Sequence, residues 1–203
     1  MRFAAWLYYL IDRRNGKATR FDRLYRMHRD PFGGEIFAYE QEKSAAVIKL
    51  LSGKQYRHIL DIGCGSGMLT RMLAPLGKAI TAIDFSSEAI NHAVSFPKSP
   101  SNIEYLCADL RTFTLTPRYD LILCSEVLYY LTPEELEDVA RKMSEVFALG
   151  TEILTVCKLS NDLIPTVFEK YTKEVERLDR KHTRRPYSII KFQVQQLPYN
   201  AKV

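Results

Sequence analysis

The sequence predicts an α/β fold, with one mostly parallel sheet and helices on both of its faces. The chain has 203 residues, 46% hydrophobic and 26% charged, which suits one globular domain. A mostly apolar run at residues 58–62 is followed by three glycines on alternate positions and then by helical spacing at 68–74. Residues 121–124 are four consecutive apolar residues, a pattern typical of a parallel strand that is buried on both faces.

The hydrophobic periodicity of the rest of the sequence predicts strands and helices that alternate along the chain. Helices are predicted at residues 3–11, 21–29, 35–51, 68–74, 132–149 and 163–171, and one that Ser86 or Ser87 caps. Strands are predicted at residues 58–62, 78–84, 102–110, 121–124 and 151–159. Two alternating segments, 174–180 and 187–194, favour an antiparallel hairpin at the end of the sheet, and a helix through 165–182 is the alternative.

The cysteine pattern and the apolar segments indicate a cytoplasmic protein without a membrane span. Cysteines 64, 107, 124 and 157 form no Cys-x-x-Cys pair, so neither a zinc site nor a disulfide framework is expected. The apolar segment 3–11 is too short to span a bilayer and lacks the cleavage site of a signal peptide. We expect it to form a helix that packs on the domain or contacts a second subunit in a homodimer.

The net charge of +5 is distributed unevenly along the chain. Residues 1–30 contain eight Lys and Arg against three acidic residues, and residues 170–203 contain nine against three. Basic flanks of this kind suit an anionic substrate or a nucleic acid, but they also occur as solvated surface charge. The charge pattern leaves these alternatives open.

The glycine turn has a carboxylate two residues before its first glycine: Asp61, then Gly63, Gly65 and Gly67. A dinucleotide fingerprint needs a glycine where Met68 or Thr70 stands, and no Gly-Lys-Ser/Thr closes a P-loop. The carboxylate suits a positively charged amine better than a pyrophosphate. The stretch resembles motif I of the class I S-adenosylmethionine-dependent methyltransferases. The resemblance implies a Rossmann-like, seven-stranded sheet with S-adenosylmethionine at Asp61 and the turn, Cys64 included.

Further acidic residues stand at the ends of the next two strands. Asp84 ends the second strand, where a carboxylate can accept hydrogen bonds from both hydroxyls of a ribose; a helix cap or a salt bridge is the alternative. Phe85 and Ser86 follow it. The resemblance further implies that adenine is bound at Asp109 and Leu110, beside Ala108, and that Ser125 ends the fourth strand at the cofactor.

A second resemblance concerns the segment before the first strand. The order Asp-x-Leu-Tyr, Asp-Pro-aromatic-Gly, Tyr-Glu-x-x-Lys is similar to the nodulation protein S branch of these methyltransferases. It is carried by Asp22, Leu24, Tyr25, Asp30, Pro31, Phe32, Gly33, Tyr39, Glu40 and Lys43, with Phe32 where the branch has Trp. The resemblance covers roughly residues 21–160. It implies a helical cap or lid at 1–52, a methyltransferase domain at 53–203, and an amine acceptor on a sugar or another small natural product.

The loop after the fourth strand is expected to face the transferred methyl group. It contains no Asn/Asp-Pro-Pro-Tyr motif, and with Glu126 alone it offers no carboxylate cluster for a metal. We therefore predict that Glu126 orients or deprotonates the acceptor, with Tyr39 and Tyr129 or Tyr130 as pocket walls. Glu126 could instead hydrogen-bond the cofactor or the backbone without a chemical role.

Three other functions stay open at this point. One is O-methylation of a small molecule that bears phosphate or phosphonate, which the basic flanks would suit. Another is methylation of a nucleic acid, although no recognition module is visible. The third is binding of S-adenosylmethionine without catalysis.

Overall fold

The structure is a computed structural model that describes residues 17–34, 37–116, 119–181 and 185–196. The segment 3–11, with the helix and the homodimer contact expected of it, lies outside these residues. Across the described part of the chain, no helix combines the length and the apolar character needed to cross a bilayer.

Seven strands of the described residues form one sheet, in the order β3-β2-β1-β4-β5-β7-β6. They are β1 (Tyr56–Ile62), β2 (Gly77–Asp84), β3 (Ile103–Cys107), β4 (Leu121–Ser125), β5 (Glu152–Lys158), β6 (Lys173–Arg180) and β7 (Tyr187–Gln193). Strands β1 to β5 run parallel, and β7 is antiparallel to β5 and β6. This topology confirms the predicted fold class, hairpin included.

The central strands are the most deeply buried part of the sheet. Ile59 of β1 pairs with Ile80 of β2 on one side and with Leu121 of β4 on the other. Residues 121–124 are each no more than 1% exposed, as their uninterrupted apolar run predicts. The carboxyl ends of β1, β2, β3 and β4 therefore lie side by side at one edge of a rigid sheet.

Helices cover both faces of this sheet. They are α1 (Lys17–Met27), α2 (Ala38–Leu51), α3 (Met68–Leu73), α4 (Ser87–Val94), α5 (Pro133–Ser144) and α6 (Leu163–Phe168). One apolar cluster joins Val139 of α5 and Phe168 of α6 to Ile122, and the other joins Leu51 of α2 to the next strand residue, Leu123. Because neighbouring strand residues point to opposite faces, the two clusters are separate helix–sheet layers.

Several helix predictions need correction. The helix predicted at 21–29 spans Lys17–Met27, and the one predicted at 163–171 ends at Phe168. Helix α5 ends at Ser144 instead of residue 149, and its last carbonyls are followed by a turn in which the Ala148 amide donates to the Thr151 hydroxyl at 3.2 Å. Its predicted start is confirmed, because Thr132 and Glu135 form a reciprocal capping box. The alternative helix through 165–182 is wrong, since residues 173–180 pair with β7 along their length.

The segment before β1 packs against the domain through two helices. Helix α1 lies along α4: Arg26 forms an ion pair with Glu88 at 2.7 Å, and the His92 ring contacts the Tyr25 carbonyl at 2.9 Å. Helix α2 begins at Ala38 and buries Val47 against the sheet. Helices α1 and α2 are thereby brought to the edge where the strands β1–β4 end.

Candidate active site

The glycine turn after β1 has a backbone that only glycine adopts readily. Gly63, Gly65 and Gly67 have φ angles of 73°, 56° and 77°. A β-carbon on each would also come within 3 Å of a side chain, namely Val127, Tyr25 and Tyr105 respectively. The turn is therefore closely packed as well as left-handed. Between the first two glycines, the Cys64 thiol donates to the Gly65 carbonyl, and burial raises its pKa well above the usual value.

Asp61 lies in β1 just before this turn, and its side chain is buried. Its carboxylate accepts a hydrogen bond of 2.6 Å from the Thr70 hydroxyl on α3. Burial raises the pKa of Asp61 to about 6; the Thr70 hydrogen bond acts against this increase, and the nearby charge of Asp84 adds to it. A buried carboxylate with one neutral donor is well suited to receive a cation.

Asp84, at the tip of β2, holds two loops together. One carboxylate oxygen accepts from the Gly65 amide and the other from the Ser86 amide, both at 2.9 Å. Burial raises its pKa, and the two amides lower it. Each oxygen keeps a lone pair that is not used by these bonds. Asp84 thus fixes the glycine turn relative to the start of α4.

The Ser86 side chain is used for helix capping. It accepts from the Ala89 amide at 3.2 Å and donates to the Asp22 carboxylate of α1 at 2.6 Å. Asp22 also accepts from the Glu88 amide at 3.3 Å. The Ser86 hydroxyl is fully buried in this contact, and its predicted role at the cofactor stays a prediction.

A cavity with mainly apolar walls opens above the turn, and half of the predicted cofactor residues line it. It encloses about 500 Å³ of space, open mouth included. Its lining includes the predicted Gly63, Asp84, Phe85, Ala108, Asp109, Leu110 and Tyr130, together with Ile83, Val127 and Arg111. Apolar walls with a few polar groups at the rim are typical of small-molecule sites. Four strand ends thus contribute to one cavity, with Asp61 buried beneath the turn.

Arg111 is a site residue that the sequence analysis missed. Its amide and Nε donate to Oδ1 of Asp109 at 3.0 and 2.9 Å, and its Nη1 donates to Glu135 of α5 at 2.9 Å. These bonds hold the Asp109 carboxylate in one orientation in the cavity wall. The Asp-x-Arg spacing was the available signal, but the contact with Glu135 depends on how α5 packs.

Glu126 follows β4 in a backbone conformation that is rare for residues other than glycine, with φ of 58°. Its carboxylate accepts from the Tyr129 hydroxyl at 2.5 Å and from the Lys43 ammonium at 3.2 Å. Its own amide donates to the Val156 carbonyl of β5. The left-handed turn next to Ser125 therefore directs Glu126 toward α2, and well-defined contacts stabilise this strained position.

The two adjacent tyrosines after Glu126 have different neighbours. Tyr129 contacts Glu126, and burial together with this negative charge raises its pKa, so the phenol stays a proton donor at neutral pH. Tyr130 lines the cavity, and its ring packs edge-on against Phe21 of α1 at 5.4 Å. Phe21 also packs against Phe85 at 5.2 Å, so α1 covers one side of the cavity.

Tyr39 of α2 is not part of the cavity lining, and its ring packs beside Lys43. Its hydroxyl donates to the Arg185 carbonyl at 2.7 Å, and burial raises its pKa. The Lys43 ammonium lies 5.2 Å from its ring centroid, and Tyr187 packs against it edge-on. Among the described residues, no group of three or more His, Cys, Asp or Glu could hold a metal ion.

Comparison with known proteins identifies the family. A family model described as Nodulation protein S (NodS) matches residues 22–155, which is more than half of the chain. The chain belongs to the nodulation protein S family. The family resemblance noted in the sequence is thereby confirmed.

Individual relatives show where the similarity lies. Nodulation protein S of Sinorhizobium fredii is 36% identical over 128 residues, which cover 60% of this chain and 57% of that protein. A ubiquinone biosynthesis O-methyltransferase of Coxiella burnetii is 35% identical over 95 residues, which cover 46% of this chain and 38% of that protein. The alignments thus span little more than half of the first relative's length and less of the second.

The structural comparison shows the fold. The crystal structure of the N-methyltransferase NodS from Bradyrhizobium japonicum, in complex with S-adenosyl-L-homocysteine, has a TM-score of 0.83 to this chain. Its sequence is 24% identical, and the superposition covers 90% of this chain and 100% of that one. The seven-stranded sheet and its flanking helices therefore have the same fold as that N-methyltransferase.

Proposed function

We propose that the protein transfers the methyl group of S-adenosylmethionine to an amine, on a sugar or another small molecule. The observation that carries this proposal is the Glu126 carboxylate, which is held by Tyr129 and Lys43 at the edge of the cofactor cavity. A carboxylate in this position can bind an acceptor as the ammonium ion and then accept the proton that must leave before nitrogen attacks.

The residues present fit the cofactor. The glycine turn is left-handed, and without β-carbons its backbone can come close to a ligand. In this proposal Asp61 holds the amino group of the methionine part, Asp84 the ribose hydroxyls and Asp109 the adenine amine, with Cys64, Phe85, Ala108, Leu110 and Ser125 in contact nearby. Bound S-adenosylmethionine supplies an electrophilic methyl group on a sulfonium.

The chain's own contribution to the reaction is positioning and the removal of one proton. Glu126 orients the acceptor nitrogen and takes its proton, and the Tyr129 hydroxyl keeps the carboxylate in place. Tyr39 and Tyr130 form walls that exclude water and align the acceptor. Helix α1, through Phe21, closes the cavity, in keeping with a cap formed by residues 1–52.

A second candidate is O-methylation of an anionic small molecule. The Lys158 ammonium lies 5.0 Å from the centroid of the Tyr129 ring, where it could attract a phosphate or phosphonate group of the acceptor. The similarity to a ubiquinone biosynthesis O-methyltransferase also supports transfer to oxygen. In this case Glu126 would deprotonate a hydroxyl.

A screen with radiolabelled S-adenosylmethionine tests the proposed function. Amino sugars, small amines, phosphorylated sugars and transfer RNA are offered as acceptors to the wild-type protein and to Glu126→Gln. We expect label on free amines, with turnover at least about 100-fold lower in Glu126→Gln and unchanged binding of S-adenosylhomocysteine. Label on hydroxyls or on RNA, or on no acceptor at all despite cofactor binding, would overturn the proposal.

A further inference from the structure

Two further charged side chains, Lys43 and Glu40 of α2, lie next to Glu126. The inference drawn from them rests on the proposed amine methylation. Lys43 of α2 is buried, with 8% of its side chain exposed, and it contacts two carboxylates. Its ammonium is 2.7 Å from Glu40, one turn earlier on α2, and 3.2 Å from Glu126. The two glutamates and the lysine therefore form one cluster with a formal charge of −1.

Within this cluster, Lys43 lies closer to Glu40 than to Glu126. The contact between Lys43 and Glu40 is shorter than the contact between Lys43 and Glu126, so the lysine charge is shared between the two carboxylates, with Glu40 the nearer one. One lysine cannot balance both glutamates, and of the two Glu126 is the more exposed. Lys43 still donates one hydrogen bond to Glu126, which orients the carboxylate.

Exposure follows the same order. The side chains of Lys43 and Glu40 are 8% and 16% exposed, and that of Glu126 is 28% exposed. An acceptor that enters the site therefore meets Glu126, while the pair formed by Glu40 and Lys43 lies behind it. In partly buried surroundings a charge that is not fully balanced attracts an opposite charge strongly.

We propose that Glu40 is a specificity-determining positioning residue for a cationic acceptor. By binding Lys43, Glu40 prevents the lysine from neutralising Glu126 and so leaves Glu126 free to bind the acceptor as an ammonium ion. Lys43 in turn holds the Glu126 carboxylate in the orientation that receives the proton. Glu40 itself does not contact the acceptor.

The proposal predicts that substitution of Glu40 affects mainly KM and that substitution of Lys43 affects mainly kcat. In Glu40→Gln the released lysine pairs with Glu126 and competes with the acceptor ammonium, so acceptor KM rises about tenfold while kcat changes much less. In Lys43→Met the Glu126 carboxylate keeps the Tyr129 hydroxyl but loses its second donor and is repelled by Glu40, so kcat falls about tenfold. Lys43→Arg and Glu40→Asp keep the charges and should restore part of each loss.

The test uses the full chain with S-adenosylmethionine and a β-1,4-linked glucosamine dimer as the acceptor. Steady-state KM and kcat are measured for each variant, and binding of the dimer is measured by calorimetry in the presence of S-adenosylhomocysteine. The matched control is Glu152→Gln, which breaks a Lys–Glu pair with a buried carboxylate in β5, formed with Lys54. This control should lower the thermal stability without changing acceptor KM.

The outcomes separate this inference from the proposed function. A rise in KM in Glu40→Gln, with weaker dimer binding and wild-type affinity for S-adenosylhomocysteine, supports the role of Glu40. If Glu40→Gln transfers methyl to the dimer with an unchanged KM, or if Glu152→Gln raises KM by the same factor, the inference is overturned and amine methylation is left intact. Absence of transfer to any amine overturns the proposed function, and this inference with it.

Discussion

The phenolic oxygen of Tyr25, on α1, lies so close to Gly65 that a β-carbon built there would come within 2.5 Å of it. Tyr25 is 6% exposed and belongs to the segment before the first strand, whereas Gly65 is part of the glycine turn. The segment before the sheet therefore packs directly on the loop that we assign to the cofactor.

This contact makes Gly65 more sensitive to substitution than a left-handed glycine that has open space around it, such as Gly53. Gly65→Ala should lose at least tenfold in affinity for S-adenosylhomocysteine, because the new methyl group displaces Tyr25 and the turn. Gly53→Ala is the matched control, since Gly53 has a φ of 79° but no atom within 4 Å of the added carbon. It should cost only about 1–2 kcal/mol of unfolding free energy, from backbone strain. Equal affinities in calorimetry would show that the turn does not contact the cofactor.

Asp84 should be required for cofactor binding and for the order of the turn. Asp84→Asn replaces one acceptor oxygen by an amide donor that faces a backbone amide donor, at a cost of about 1–3 kcal/mol. We expect affinity for S-adenosylhomocysteine to fall roughly tenfold or more, with a lower thermal midpoint. Asp179→Asn, which removes an acceptor of Ser188 in the hairpin, is the control that should keep the affinity. If both variants bind equally well, Asp84 is only a structural residue.

Asp61 should make the ligand-free protein more stable when the solution is mildly acidified. Because burial raises the pKa of Asp61 to about 6, above its unfolded value of 3.8, the folded state prefers the neutral acid. Ionised Asp61 therefore lowers the free energy of unfolding by its full amount above pH 6, and this loss is relieved as the pH falls toward 4. Between pH 7 and pH 5 the relief amounts to roughly 1 kcal/mol.

Urea unfolding of the wild-type protein and of Asp61→Asn measures this effect. The wild type should gain stability relative to the variant over that pH interval, because asparagine does not titrate. Asp84 has a raised pKa as well and is present in both proteins, so the difference reports Asp61. A constant difference between pH 7 and pH 5 would contradict the raised pKa.

Tyr129 should affect turnover more than cofactor binding. Tyr129→Phe removes the 2.5 Å hydrogen bond to Glu126, and a bond to a charged group contributes about 1.5–3 kcal/mol. We expect kcat to fall roughly tenfold. Tyr130→Phe, which keeps the ring packed on Phe21, should change kcat by less than about twofold. Identical kcat values for the two variants would argue against a role of Tyr129 in holding the carboxylate.

The sequence predicts the strands and the strand-end carboxylates well, because both follow from local patterns. The uninterrupted apolar run at 121–124 and the acid that ends β2 need no knowledge of distant parts of the chain. The contacts of Tyr25 with Gly65 and of Lys43 with Glu126 join residues that are far apart in the chain. Periodicity within a window cannot encode such pairs, which is why Tyr25 and Lys43 were missing from the predicted site.

The end of α5 illustrates a second limit. Residues 145–149 continue an acceptable helical pattern, but the Gly150 amide donates to the Val194 carbonyl, which comes from beyond the last strand. A tertiary contact therefore ends the helix before local propensity does.

The account rests most directly on the transfer of a methyl group to nitrogen at Glu126. The measurement is the turnover of a β-1,4-linked glucosamine dimer against that of its N-acetylated counterpart, with labelled S-adenosylmethionine and mass spectrometric location of the label. We predict label on the free amine, none on the acetylated sugar, and loss of at least about 100-fold in turnover with Glu126→Gln. Label on a hydroxyl of both sugars, or full turnover by Glu126→Gln, would contradict the account.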